Sequence, residues 1–135
     1  MDHDKPAFLY TVQQARDLIP ELRPLIAAMQ LERRRLQDEV ERLNDLTPAM
    51  QQNGHAVRAA NHERMIVEFS ESLREKLDQF DMMGIDVKDI EHGIIDFPSE
   101  RDGRVVYLCW HVEEETVSYW HEVTEGYQGR QPLDE

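Results

Sequence analysis

The hydrophobic period of this chain changes once, at Gly84, and that change limits the folds open to it. Before Gly84, apolar residues recur every three, four or seven positions. Leu22, Met29, Leu36 and Leu43 form one heptad-spaced stripe, flanked by Leu25, Ile26, Val40 and Leu46. Ile66, Phe69, Leu73, Leu77 and Phe80 form a second. Each stripe covers one side of an amphipathic helix, the first about 40 Å long at about 1.5 Å per residue. After Gly84 apolar and polar residues alternate, which is the period of a strand.

The helical half begins at Thr11, which with Gln14 reads as a capping box. Ala15, Leu18 and Ile19 supply its first apolar face, and then Pro20 and Pro24 interrupt. A proline inside a helix loses a hydrogen bond and strains the preceding turn, at about 3 kcal/mol. A short helix ending near Ile19, followed by a new one with Pro20 in its first turn, avoids that cost. A single helix kinked at the prolines is the other solution. Thr47-Pro48 ends the long helix, and the stretch through Gln51-Gln52-Asn53-Gly54 reads as a connecting loop. A second long helix runs from about Val57 to Met83 and stops at Gly84. Two long stripes joined by a short loop make an antiparallel hairpin, and their length raises coiled-coil pairing with another copy. Arg33 and Lys76 interrupt the stripes, which favours bundle packing over a long zipper.

Beyond Gly84, Ile85 to Glu91 reads as a short strand or extended connection. Gly93 to Phe97 is a strand closed by Pro98. Asp102-Gly103 favours a tight hairpin of primed geometry. Val105 to Val112 is the strongest strand, and Thr116 to Val123 returns after the Glu113-Glu114-Glu115 turn. The tail from Gly126 to Leu133 reads as irregular. The expected fold is α+β within a single domain, residues 1–135. Residues 11–84 form a long antiparallel helical hairpin with a short N-terminal helix. Residues 85–133 form a small antiparallel β-meander and tail, its apolar face covered by the helices.

The net charge of −13 bears on partners. A nucleic-acid binder needs clustered cations to displace phosphate counterions. The densest basic run, Arg33-Arg34-Arg35, lies among Glu32, Asp38, Glu39 and Glu41 and forms a solvated helix face. The expectation is no nucleic-acid and no membrane partner. MDHDKPAFLY carries no basic then apolar leader, and no apolar run approaches the roughly 20 residues of a membrane span. A cytoplasmic location follows as an expectation. One cysteine excludes an intramolecular disulfide framework.

The segment from Gly93 to Pro132 holds both tryptophans, the single cysteine and two closely placed histidines. Cys109 and His111 share a face of their strand, because side chains alternate. Whether His121 joins them depends on register. A three-residue connection pairs Val112 with Thr116 and puts Cys109, His111 and His121 on one face, whereas two or four residues put His121 on the other. Converged, a thiol and two imidazoles suit zinc or another borderline-soft metal, with Glu122 or Asp96 completing the set. Against this stand the missing CxxC, HxxxH and HExxH spacings, and the commoner fate of a mid-strand cysteine as a small buried hydrophobe. Calcium-loop, phosphate-loop and dinucleotide fingerprints are absent. Arg101, Arg104 and Arg130, with Trp110, Trp120 and Tyr127, form the other candidate set. They suit an aromatic and arginine face for a protein or a small anionic ligand.

Two stretches carry a family resemblance, FLYTVQQARDLIPELRPLI and GIDVKDIEHGIIDFPSERDGRVVYLCWHVEEETVSYWHEVTEGYQGRQPL. Their most specific pieces are DFP, RDGR, LCW, YWH and GYQGRQP. The chain resembles a small bacterial family known as domain of unknown function 2203. The resemblance implies a prokaryotic cytosolic protein and no assigned catalytic, metal or ligand residue. The leading expectation is a non-enzymatic interaction module, homodimeric through its helices and needing no cofactor. The alternative is a metal-binding protein, or metal-dependent enzyme, using Cys109, His111 and His121.

Overall fold

The computed structural model describes residues 8–46 and 54–134. Two long helices, α1 (Val12–Asn44) and α2 (Ala56–Met82), precede a five-stranded antiparallel sheet. The strands β1 (Asp86–Asp89), β2 (Ile94–Arg101), β3 (Arg104–His111), β4 (Tyr119–Glu122) and β5 (Gln131–Pro132) lie side by side in chain order. The helices run antiparallel. Glu32 meets Ser72 and Lys76 across them, and further along α1 Glu39 meets His62. The expected loop at Thr47–Asn53 lies outside the described residues. No helix among the described residues is long and apolar enough to cross a membrane.

The Thr11 hydroxyl accepts from the Gln14 amide at 3.0 Å, and the Gln14 side chain accepts from the Thr11 amide at 2.9 Å, so the capping box forms. The break expected at Pro20 does not. α1 is one helix with Pro20 and Pro24 inside it. Both prolines are exposed, so the carbonyls one turn earlier, which lose their amide partners, also face the solvent side. The opposite face carries Ala15, Ile19, Leu22, Ile26 and Met29, all buried in the core. A break at Ile19 would tilt Leu22, Ile26 and Met29 off the sheet. Burial of each contributes about 1.5–3 kcal/mol, against about 3 kcal/mol for an internal proline. Arg16 and Arg23 add sheet contacts: Arg16 Nε donates to the Val117 carbonyl at 3.0 Å, and Arg23 to the carbonyls of Val112, Glu114 and Glu115.

The sheet also exceeds the expected three strands. β2 continues through Pro98 to Arg101. The Pro98 carbonyl accepts from the Tyr10 amide at 2.7 Å, so the proline nitrogen points the same way, past the end of β1, where no ladder bond is lost. Asp102 and Gly103 both have positive φ, 52° and 77°, giving the primed two-residue turn that Asp-Gly favours. The tail is partly ordered into structure, with a single 3₁₀ turn at Tyr127–Gly129 and the short β5. Ile95, Phe97, Val106, Leu108, Trp110 and Trp120 pack with the α1 face and Phe80 in one core. The residues between them on β2, β3 and β4 therefore point to the sheet's other face, away from the helices.

Candidate metal centre

Three polar side chains from three adjacent strands meet on that other face. Asp96 on β2 sits directly opposite Cys109 on β3. His121 on β4 sits opposite Tyr107, two residues before Cys109. The pairing of Cys109 with Tyr119 is the register of the three-residue alternative, so His121 shares the face of Cys109. The connection itself is longer, because β3 ends at His111 and β4 starts only at Tyr119. Trp110 Nε1 donates to the Glu114 carbonyl at 3.1 Å and the His111 amide to Glu114 Oε1 at 2.8 Å, fixing the loop.

One oxygen of Asp96, the Cys109 sulfur and one ring nitrogen of His121 all lie within 4.8 Å of one another. The three residues are 1%, 0% and 2% exposed. A cleft of about 310 Å³ reaches Asp96 and Cys109, lined also by Lys88, Asp89, Glu125, Gly126 and Tyr127. The Tyr107 ring packs on His121 at 5.6 Å between centroids. The Arg130 guanidinium lies over Tyr119 at 4.0 Å and Tyr127 at 4.4 Å, and pairs with Glu114.

Hydrogen bonding settles the His121 tautomer. Its Nδ1 is 2.8 Å from the Glu122 backbone carbonyl, which can only accept, so Nδ1 carries a hydrogen. Its Nε2 is 3.0 Å from Asp96 Oδ2, with one proton between them. Asp96 Oδ1 is buried without a hydrogen-bond partner among the described residues. Burial pushes the Asp96 carboxyl above its usual range, while His121, Cys109 and Lys88 pull it back. Burial, and then the Asp96 charge, push the Cys109 thiol far above its ordinary value, opposed by Arg130. Both His121 nitrogens are engaged elsewhere, so the ring is not placed to activate this thiol as a nucleophile.

The other candidate residues lie apart from this cluster. His111 shares the strand face of Cys109, but its Nδ1 accepts from the Glu113 amide at 3.2 Å and its ring sits 6.1 Å from that of Tyr127. Asp96 stands in its place. Glu122 points to the helix-side face and takes a two-pronged contact from Arg104, at 2.9 and 2.5 Å. The six aromatic and arginine candidates are divided by strand alternation. Trp110 is sealed in the core with Arg23 over its ring at 5.0 Å. Arg101 and Arg104 flank Trp120, at 4.7 and 5.8 Å, on the same side of the sheet. Tyr127 and Arg130 lie on the opposite side, beside the cluster. In the sequence Asp96 stands only as an optional fourth partner, because its one signal is a carboxylate in an apolar strand.

Residues 9–133 match the model of a family described as an uncharacterized conserved protein, DUF2203. No curated protein matches the chain, and no solved structure does. With that match spanning nearly its whole length, the chain belongs to the DUF2203 family.

Proposed function

We propose that this protein binds one zinc-class divalent metal through the Asp96 carboxylate, the Cys109 thiolate and His121 Nε2. The observation that carries the reading is the buried meeting of those three ligand atoms, within 4.8 Å, with Asp96 Oδ1 left unpartnered. Zinc ligands at about 2.0–2.3 Å and tetrahedral angles stand about 3.3–3.8 Å apart, so a contraction of about 1 Å suffices. The ligand set mixes sulfur, nitrogen and oxygen, which suits a borderline-soft ion. His121 is already oriented as metal-bound histidines are, with its second nitrogen donating to a carbonyl. As a purely structural His–Asp pair, the cluster leaves Asp96 Oδ1 with nothing better than the weakly donating Cys109 thiol beside it. A metal replaces the shared proton and the thiol proton and gives that oxygen a partner. A thiolate ligand also suits a reducing compartment such as the cytoplasm.

Elemental analysis of protein purified without an affinity tag tests this reading. Near-stoichiometric metal that disappears in Cys109→Ala supports it. Folded protein that stays metal-free after incubation with zinc contradicts it.

Self-association through the helices is the second reading. Past Met29 the only buried residue of α1 is Glu39, and α2 buries only Ala59 and Phe80. Leu31, Val40, Val57 and Val67 are exposed there, and Leu36, Leu43, Met65, Ile66 and Phe69 are half-buried. A second copy laid along this half would cover them as a four-helix bundle does. Size-exclusion chromatography with light scattering is the test, and a monomer at high concentration contradicts it.

A further inference from the structure

We propose that Glu125 supplies the fourth ligand of this metal, so that the ion fastens the C-terminal segment across the sheet. The inference rests on the metal reading above and goes beyond its three ligands. Three protein ligands leave one tetrahedral position to fill, by water in catalytic sites or by the protein in structural ones.

Two carboxylates besides Asp96 line the cleft, those of Asp89 and Glu125; both lie outside the 4.8 Å cluster, so a fourth carboxylate ligand has to swing in toward the ion. Asp89 is already engaged, with Oδ1 accepting from the His92 amide at 3.0 Å and Oδ2 lying 2.8 Å from His92 Nδ1. The Glu125 carboxylate has no hydrogen bond or ion pair among the described residues. Its backbone is geared to the cluster, because the Glu122 carbonyl that holds His121 Nδ1 also accepts from the Glu125 amide at 3.0 Å. Gly129 makes room for the Glu125 side chain. A Cβ there would stand 2.2 Å from Glu125 Oε2, 2.7 Å from its Cβ and 3.0 Å from its Cδ.

A divalent ion balances Asp96 and Cys109, and the cleft that holds Glu125 also holds Lys88, which pairs with Asp86 at 2.6 Å. On this account the metal is enclosed rather than open to substrate, and it joins β2, β3, β4 and the segment that follows β4.

The test titrates cobalt(II) chloride into the full metal-free chain and its Glu125→Gln and Gly129→Ala variants, reading the visible cobalt spectrum. Azide is then added as a probe of an exchangeable position. The wild type is expected to give a four-coordinate spectrum that azide leaves unchanged. Glu125→Gln should bind at least about tenfold more weakly, no less than losing an outer-shell partner costs, and become azide-sensitive. Gly129→Ala should do likewise by displacing Glu125, since the backbone of Gly129 does not require glycine. A wild-type spectrum that responds to azide, or Glu125→Gln affinity within about twofold of wild type, overturns the Glu125 assignment while the three-ligand site stands. A wild type that takes up no cobalt overturns both.

Discussion

His121 donates its Nδ1 hydrogen to the Glu122 carbonyl at 2.8 Å and thereby commits its Nε2 to Asp96, 3.0 Å away. One proton is left between two buried atoms. A metal ion would displace that proton without turning the ring. The cluster therefore resembles a ligand set held in its protonated form.

The first prediction concerns Asp96→Asn in the metal-free protein. Burial raises the Asp96 carboxyl above its unfolded value, close to 3.8. A group raised on folding contributes stability that is fully present below the unfolded pKa and is lost as pH rises through the folded one. Asparagine removes that loss. Between acid and neutral pH, metal-free Asp96→Asn should therefore gain stability relative to wild type, while failing to bind metal. Thermal unfolding across pH in the presence of a chelator measures this. A variant that loses ground to wild type as pH rises would show that the ionised pair is a net structural asset.

A second prediction tests the frame that brings β2 beside β3. Gly93 and Gly103 both have left-handed φ, 69° and 77°. Alanine at either position pays about 1–2 kcal/mol for that conformation. At Gly93 the new Cβ would also lie 2.6 Å from Val112 Cγ1, whereas at Gly103 nothing is within 4 Å. Overpacking adds about 1–3 kcal/mol, so Gly93→Ala should be the more destabilising. Urea unfolding of the two variants decides it, and equal midpoints would count against the packing at Gly93.

Arg130 gives a third prediction. Its planar guanidinium lies over two tyrosine rings and pairs with Glu114. Lysine keeps the charge but loses the stacking and the forked donors. Arg130→Lys should loosen the segment after β4 by about 1–2 kcal/mol while the core transition stays nearly unchanged. Amide hydrogen exchange resolved by peptide should show faster exchange from Thr124 to Leu133 only. Unchanged exchange there would mean that β5 and the Leu133 amide bond to Ser118 hold the segment by themselves.

Much of the frame is legible in the sequence because it follows from local rules. The period change at Gly84 separates helices from sheet, Thr11 and Gln14 announce the helix start, and Asp102-Gly103 sets the hairpin. The register that puts His121 with Cys109 was one of two open alternatives. Its resolution needed the contacts of Trp110 and Arg23, which fix a connection longer than the pairing implies. Pro20 and Pro24 point to a break that does not form for a similar reason: propensity is local, whereas the packing of Ile19, Leu22 and Ile26 on the sheet is not. Asp96 was the least legible residue. Nothing in Ile95-Asp96-Phe97 reveals that the carboxylate points away from the core toward a thiol and an imidazole on two later strands.

X-ray absorption at the zinc edge of the zinc-loaded protein tests the central claim most directly, because it identifies the atoms bound to the metal. The account predicts one sulfur at about 2.3 Å and nitrogen or oxygen neighbours at about 2.0–2.2 Å, with the sulfur absent in Cys109→Ser. A zinc shell of nitrogen and oxygen alone in the wild type would contradict it.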